Sequence, residues 1–198
     1  MPKIEAATVA EHRAMREQQV LQTAADLLVA GGPQALSPAA VAKRARISRT
    51  AVYHYYPSSA ELLLGALEHL MSQAVADLEE AIAEAGPGPM DKIEAYVRTS
   101  LHSAATGYCA GLIDPSAIPD DQRTRLAEWH ERLLAPLRDI AQDCSAPDAT
   151  LAAQLVQGMI DAAARAVAEG KNLREVTETT LVLLRAALGR PHGGVIVN

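Results

Sequence analysis

Basic, hydroxyl and aromatic side chains concentrate in one short stretch of the sequence, residues 37–56. Its candidate contact residues for a nucleic acid are Ser37, Lys43, Arg44, Arg46, Ser48, Arg49, Thr50, Tyr53, His54 and Tyr56. Lys, Arg and hydroxyl side chains bind phosphate oxygens, and Arg can also read guanine through two parallel hydrogen bonds. The stretch therefore combines the side chains that phosphate contact and base recognition require.

Two short helices joined by a tight turn are predicted to position these side chains. Ser37 is a suitable N-cap, and Pro38 suits the first helical position because its missing N–H is not needed there. Ser48 is a second N-cap, and Pro57 ends the helix that follows. Ile47 is the large apolar residue of the turn, so we expect it to fill the angle between the helices. This pattern predicts a helix-turn-helix, in which one helix enters the DNA major groove.

The N-terminal part of the chain, up to residue 65, resembles the TetR-type one-component transcriptional regulators. The residues that carry the likeness are a long helix over 11–30, the Gly31-Gly32 break, Ser37, Val41-Ala42, Ile47-Ser48, Val52 to Tyr56, Ser58 and Glu61 to Leu63. Beyond residue 65 the likeness lies only in chain length and helical character. The resemblance implies an all-α fold, with a three-helix DNA-binding head and a helical body that binds a ligand and dimerises.

Three positions depart from the family's pattern. Arg46 stands in the turn where the family usually has Gly, so it must adopt the turn's backbone without glycine's freedom. Thr50 replaces a common Gly, and Ser59 replaces a common Lys that would contact a phosphate. These changes affect the expected operator sequence and phosphate contacts rather than the fold.

The candidate contact residues of this stretch are expected to play different roles on DNA. Arg49, at the head of the second helix, is the best candidate to read a base, with a phosphate contact as the alternative. Thr50 is expected at a base edge or a thymine methyl. The residues assigned to the DNA backbone are Ser37, Lys43, Arg44 and Arg46. Tyr53, His54 and Tyr56 are expected to touch phosphates or brace the helix, and Ser48 is a further candidate contact.

The charge distribution agrees with this interpretation. The whole chain has a net charge of −6, which is unusual for a DNA-binding protein. Residues 1–57, however, carry a net charge of +3, and the remainder carries −9. Positive charge is therefore concentrated where phosphates would lie.

Composition favours a cytoplasmic helical protein. Cys109 and Cys144 are too few for a disulfide framework, which suits a reducing compartment. The polar N-terminus does not resemble a secretory signal, and no apolar run reaches the length that a bilayer requires. We expect no membrane association.

The family resemblance implies two domains, a DNA-binding domain at 1–58 and a helical ligand-binding and dimerisation domain at 59–198. Beyond the head, helices are expected over 59–85, 90–108, 120–144, 146–169 and 173–188, with an irregular segment at 111–119. Pro136 predicts a kink or a split in the third of these.

Small residues on the helix at 146–169 allow close helix packing, and the helix at 173–188 offers large apolar residues. We favour a homodimer through these two helices, as the family resemblance also implies, because a two-fold dimer presents two reading helices to a palindromic operator. The alternative is a hairpin that packs only within its own chain.

The family resemblance further implies a pocket for a small-molecule effector among the middle helices. The candidate ligand residues are Tyr96, His102, Tyr108, Cys109, Trp129 and His130. The expected function is a repressor that the effector releases from DNA. Alternatives are a metal- or thiol-responsive regulator of the same fold, or a helical-bundle binding protein or enzyme.

Catalysis is not expected. The sequence contains no Gly-rich phosphate loop, GxSxG, HExxH or CxxC motif, and Asp120-Asp121 fits a helix start better than an acid–base pair. His102, Cys109, His130 and Cys144 lack the close spacing of metal ligands. We therefore expect no metal and no cofactor.

Overall fold

The computed structural model describes residues 9–106 and 120–188. Within them it contains helices and no strand, so the all-α fold expected from the sequence is confirmed. The eight α-helices are α1 (Val9–Gly31), α2 (Pro38–Ala45), α3 (Arg49–Tyr55), α4 (Ser59–Glu84), α5 (Pro89–Ala105), α6 (Asp120–Asp143), α7 (Ala149–Ala168) and α8 (Leu173–Leu188). None of the described helices is both long and apolar enough to cross a membrane.

The chain divides into two compact units, Met1–Leu70 and Met71–Asn198, here called the head and the body. The division falls inside α4, so this helix contributes residues to both units. The predicted domain limits of 1–58 and 59–198 stay a prediction.

Local capping begins the three helices that follow α1. The Ser37 hydroxyl accepts a hydrogen bond from the Ala40 N–H (3.1 Å), with Pro38 at the first position of α2. The Ser48 hydroxyl accepts one from the Ala51 N–H (3.0 Å) at the start of α3. Before α4, the Ser58 hydroxyl accepts one from Glu61 (3.1 Å). The predicted N-caps of α2 and α3 are confirmed, because each satisfies a backbone donor that a helix start leaves unpaired.

The turn after α2 contains Arg46, at the position where the related family usually has Gly. Arg46 adopts φ 56° and ψ 44°, a left-handed conformation that favours glycine. Beyond it, the Ile47 N–H reaches back to the Ala42 carbonyl (3.0 Å) and closes the end of α2. The Gln19 side chain donates to the Ala45 carbonyl (3.2 Å) and so ties α1 to the same turn.

The head encloses its own small hydrophobic core. The fully or nearly buried apolar residues of its helices are Val20, Ala24, Ala25, Leu28, Val41, Ala42, Ala45, Val52, Leu62, Leu64, Ala66 and Leu67. Their burial on one side of α2 and α3 leaves the other sides of these helices in solvent, as amphipathic helices require.

In the body, α7 is the central helix, since it contacts α5, α6 and α8. Its buried residues include Ala153, Val156 and Ile160. These pack into one hydrophobic core with residues such as Ile93 and Leu137 from the neighbouring helices. One side of α7 therefore faces the hydrophobic core of the body.

Of the two alternatives predicted for Pro136, the split is wrong, because α6 continues through this residue as one element, and the kink stays a prediction. A proline removes one helical hydrogen bond and crowds the preceding turn. At that turn the Leu133 carbonyl accepts a hydrogen bond from the buried Tyr96 hydroxyl (3.0 Å), so a partner from α5 supports the helix there.

Candidate functional site

The helix-turn-helix of the head exposes its charged side chains and buries its apolar ones. Val41 on α2 and Val52 on α3 have no exposed surface. In contrast, Lys43, Arg46 and Arg49 are exposed. The burial pattern therefore orients both helices so that positive charge faces solvent, as a surface that binds phosphates must.

The basic side chains differ in how firmly they are paired within the chain. The Arg44 guanidinium lies 3.7 Å from the Asp26 carboxylate on α1, and both side chains are about half exposed. Lys43 and Arg46 form no ion pair with a carboxylate of the described residues. Of this group, Lys43 and Arg46 are thus the most available for phosphate contact.

Arg49 and Tyr53 form a pair on the exposed side of α3. An Nη2 hydrogen of Arg49 is donated to the Tyr53 hydroxyl (3.1 Å). The guanidinium carbon lies 5.5 Å from the centre of the Tyr53 ring. Residues four apart on a helix are neighbours, so this contact needs no other element. The predicted base-reading side chain is therefore held by its own helix.

Tyr56 is half-buried at the end of α3 and packs against α4. A Cβ added at Gly65 would lie 2.7 Å from Cε1 of the Tyr56 ring and 3.2 Å from Cδ2 of Leu21. Burial, and then the charges of Glu17 and Glu68, raise the pKa of Tyr56 to about 12. The close fit favours the bracing role among the alternatives that the sequence left open.

The other predicted DNA contacts lie on the surface of the same segment. Thr50 and His54 are exposed on α3, and the His54 ring meets the Tyr55 ring edge-on at 5.6 Å between centroids. The Ser37 and Ser48 hydroxyls accept hydrogen bonds from their own helices, and each keeps its proton to donate elsewhere.

The four predicted ligand residues that the structure describes differ in how far they are buried. Tyr96 is 1% exposed, and Trp129 packs partly against the same core. The Arg132 guanidinium lies 4.2 Å from the centre of the Trp129 ring. His102 and His130 are exposed. Two further candidates, Tyr108 and Cys109, lie outside the described residues.

A polar chain that the sequence analysis missed surrounds Tyr96. Its hydroxyl lies 3.0 Å from both the Leu133 carbonyl and Oε1 of Gln157, which share its single proton. Gln157 in turn donates to the Asp161 carboxylate (2.8 Å). Burial, and then the charge of Asp161, raise the pKa of Tyr96. The signal was a Gln and an Asp four residues apart in the middle of a helix rich in Ala.

Thiol and metal chemistry have little support in the described part of the chain. Burial, and then the charge of Asp143, raise the pKa of the Cys144 thiol, which disfavours the reactive thiolate. The described residues contain no group of three His, Cys, Asp or Glu side chains that could hold a metal ion.

A second unusual surface lies on α7 and α8. Leu151, Leu155, Val182 and Leu183 are each at least half exposed, and Leu155 reaches 63%. Beside them is an open groove of about 500 Å³. The groove is lined mainly by small and apolar residues, among them Met159, Ala162, Ala166, Val176, Thr179 and Leu183. Lys171, Asn172 and Glu175 stand at its polar end.

The family model of bacterial regulatory proteins of the tetR family matches residues 20–66, which span the helix-turn-helix just described. This segment of the head matches the tetR family. The resemblance seen in the sequence is thereby confirmed, and the match includes Arg49, Tyr53 and Tyr56. No curated protein sequence matches the chain significantly.

Solved structures extend the likeness of fold beyond the tetR-family head. FadR from Bacillus subtilis, solved with stearoyl-CoA, has a TM-score of 0.70 at 20% identity, over 84% of this chain and 96% of that one. A regulator from Saccharomonospora viridis, solved with choline, has a TM-score of 0.75 at 14% identity, over 87% and 96%. Reduced NemR from E. coli reaches 0.75 at 17% identity, over 89% and 98%. At such identities these structures establish the fold and nothing finer.

Proposed function

We propose that the protein is a ligand-responsive transcriptional repressor that binds a palindromic DNA operator as a homodimer and is released by a small-molecule effector. The observation that carries the proposal is the capped α2–turn–α3 unit, with Arg49 exposed at the first position of α3, inside the segment that the tetR-family model matches. A rigid helix with an Arg at its exposed start suits major-groove reading.

On DNA, Arg49 reads a guanine and Thr50 contacts a neighbouring base edge or thymine methyl. Lys43, Arg44 and Arg46 neutralise phosphates. Ser37 and Ser48 add hydroxyl donors at the N-termini of α2 and α3, where the helix dipole also favours a phosphate. His54 lies one turn beyond Thr50 on α3 and contacts the DNA backbone.

The dimer forms through α7 and α8, because their exposed apolar surface is otherwise unexplained. Large apolar side chains half or more exposed at several neighbouring positions mark an association surface. Gly158 supports this proposal. It lies in the middle of α7, where glycine weakens a helix by roughly 1 kcal/mol, and a Cβ added there would meet nothing within 4 Å. The packing of the described residues therefore does not require a glycine there.

The residue sizes along α7 are self-complementary. If two α7 helices cross antiparallel between Gly158 and Met159, Leu155 lies opposite the partner's Ala162, and Leu151 lies opposite the partner's Ala166. Both alanines line the groove beside α8. Each exposed leucine would thus enter a space left by a small residue, which is how a two-fold interface matches itself.

The effector binds in the body, and the partly buried chain from Tyr96 through Gln157 to Asp161 supplies polar groups for it. Stearoyl-CoA and choline, found in two structures of similar fold, differ too much in size and charge to suggest one ligand class. Release requires that the effector bind the two states of the dimer with different affinity. In the DNA-bound dimer the two α3 helices lie one DNA turn apart, about 34–36 Å. A changed tilt of α4 would alter this spacing.

Selection of bound duplexes from a random DNA pool tests the DNA-binding proposal. We expect enrichment of an inverted repeat whose half-sites are about one helical turn apart. Failure to enrich any sequence would contradict the proposal.

A ligand screen by thermal shift, followed by operator titration, tests the sensor proposal, which fails if no stabilising compound alters operator affinity.

A further inference from the structure

We propose that Tyr53 is a positioning residue, which orients the Arg49 guanidinium for base reading and so sets the operator specificity without contacting a base itself. The inference rests on the proposed DNA-binding function. It starts from a hydrogen bond between two exposed residues of α3, donated by Arg49 to the Tyr53 hydroxyl (3.1 Å).

The geometry leaves Arg49 able to recognise a base. A guanidinium has five N–H donors in a planar fork, and Tyr53 takes only one of them, on Nη2. The remaining N–H groups suffice for the two parallel hydrogen bonds that guanine accepts. The Tyr53 hydroxyl acts as acceptor in this contact and therefore keeps its own proton, which it can donate to a nearby phosphate oxygen.

The pair also restricts the Arg49 side chain before DNA arrives. A free arginine loses much rotamer freedom when it is held against a base. The Tyr53 hydroxyl accepts from Nη2, and its ring lies 5.5 Å from the guanidinium carbon. Two contacts on one exposed residue therefore define the direction of the fork, and pre-organisation of this kind favours the correct base contact.

Position on the helix makes the arrangement robust. Arg49 is the first residue of α3 and Tyr53 lies one turn later, so the contact forms within a single rigid element. Ser48 caps this turn through the Ala51 N–H. The structure around the pair therefore does not depend on which duplex is bound.

Tyr53→Phe tests the inference, because it removes the acceptor and keeps the ring. Two duplexes serve as probes. One is the operator selected from the random pool, and the other is the same duplex with one G·C pair replaced by A·T. The replaced pair is the one at which Arg49→Ala loses most base discrimination. We expect Tyr53→Phe to lower the affinity ratio of the two duplexes by about three- to tenfold. In the Arg49→Ala background the same change should leave the ratio unaltered.

Tyr55→Phe is the matched control, since it deletes a phenol hydroxyl from the same helix without touching Arg49, and we expect it to leave the ratio unchanged. Equal loss of affinity for both duplexes would mean that Tyr53 serves only as a phosphate contact, and it would overturn the inference. An unchanged ratio in Tyr53→Phe would also overturn it. If the native protein binds no duplex, the proposed function itself fails and the inference falls with it.

Discussion

The head and the body each contain a glycine in the interior of a helix, and the two glycines have different explanations. In the head, Gly65 faces the Tyr56 ring so closely that an added Cβ would lie 2.7 Å from it. In the body, Gly158 is exposed and an added Cβ would meet nothing within 4 Å. The first glycine is required by contacts within the chain. The second has no such contact with the described residues of its own chain, and we propose that it faces a second copy.

The exposed surfaces of the two units differ in the same way. The helix-turn-helix of the head exposes cationic side chains such as Arg46 and Arg49, while α7 and α8 expose apolar ones such as Leu155 and Val182. Charged side chains in water are stable without a partner, whereas a cluster of large apolar ones is not. We therefore expect that the surface of the head needs no partner in the absence of DNA. The apolar surface of the body, in contrast, should associate with a second copy of the chain.

The largest expected effect tests the apolar surface. Leu155→Glu would place two carboxylates in the proposed two-fold interface and should weaken dimerisation by about 3–5 kcal/mol, because each charge is buried without a partner. Sedimentation velocity across a concentration series measures it. Ala83→Glu, an exposed position on α4, is the matched control. A dimer of native affinity in Leu155→Glu would exclude this interface.

The next effect tests the cationic surface. Arg49→Ala should weaken binding to the selected operator by roughly 1–3 kcal/mol and relax specificity at one base pair. Lys43→Ala should weaken binding to all sequences and reduce the salt slope by about one. Affinity titrations at several salt concentrations distinguish the two. Identical behaviour of both variants would contradict the division into base and phosphate contacts.

Gly65→Ala tests whether packing within the head explains its glycine. The added methyl must displace Tyr56 or Leu21, and we expect about 1–3 kcal/mol of destabilisation from overpacking. Denaturant unfolding followed by circular dichroism measures the change. An unaltered midpoint would show that the ring has room to move.

Gly158→Ala is the matched substitution in the body. In dilute solution, where chains are separate, it should stabilise α7 by about 1 kcal/mol through helix propensity. At concentrations where dimers form, it should raise the dissociation constant, because the methyl separates the crossing helices. Stabilisation without any effect on association would place the crossing point elsewhere.

The smallest expected effect concerns the two non-glycine residues with a left-handed backbone among the described residues. These are Arg46 in the head and Ser145 in the body, both at φ 56°. Substitution of either by Gly should stabilise its unit by about 0.5–1 kcal/mol, since the steric penalty of a Cβ is removed. Arg46→Gly should also lower the salt slope of DNA binding, whereas Ser145→Gly should not. Thermal melts and salt titrations test both claims.

The sequence by itself determined the local architecture of the head. Ser37, Ser48 and Pro57 were sufficient to predict where α2 and α3 begin and where α3 ends. These signals are readable because a capping side chain bonds to a backbone group three residues away, as Ser37 does to Ala40. At Arg46 the comparison with the family's usual Gly marked an unusual turn residue, and the structure supplied its left-handed conformation. At Ser145 no such prediction was made, although its Schellman-type turn is similar, with the Ala146 N–H bonded to the Ala141 carbonyl (3.0 Å).

Only the tertiary structure decided which distant residues meet. Tyr96 shares its hydroxyl proton with Gln157, 61 residues along the chain, and no local pattern contains that contact. The same holds for the Tyr56 ring against Gly65 and Leu21, which needs three helices packed together. Helix caps depend on neighbours in sequence, whereas core and site contacts depend on how amphipathic faces pack, and many packings are compatible with one pattern of apolar residues.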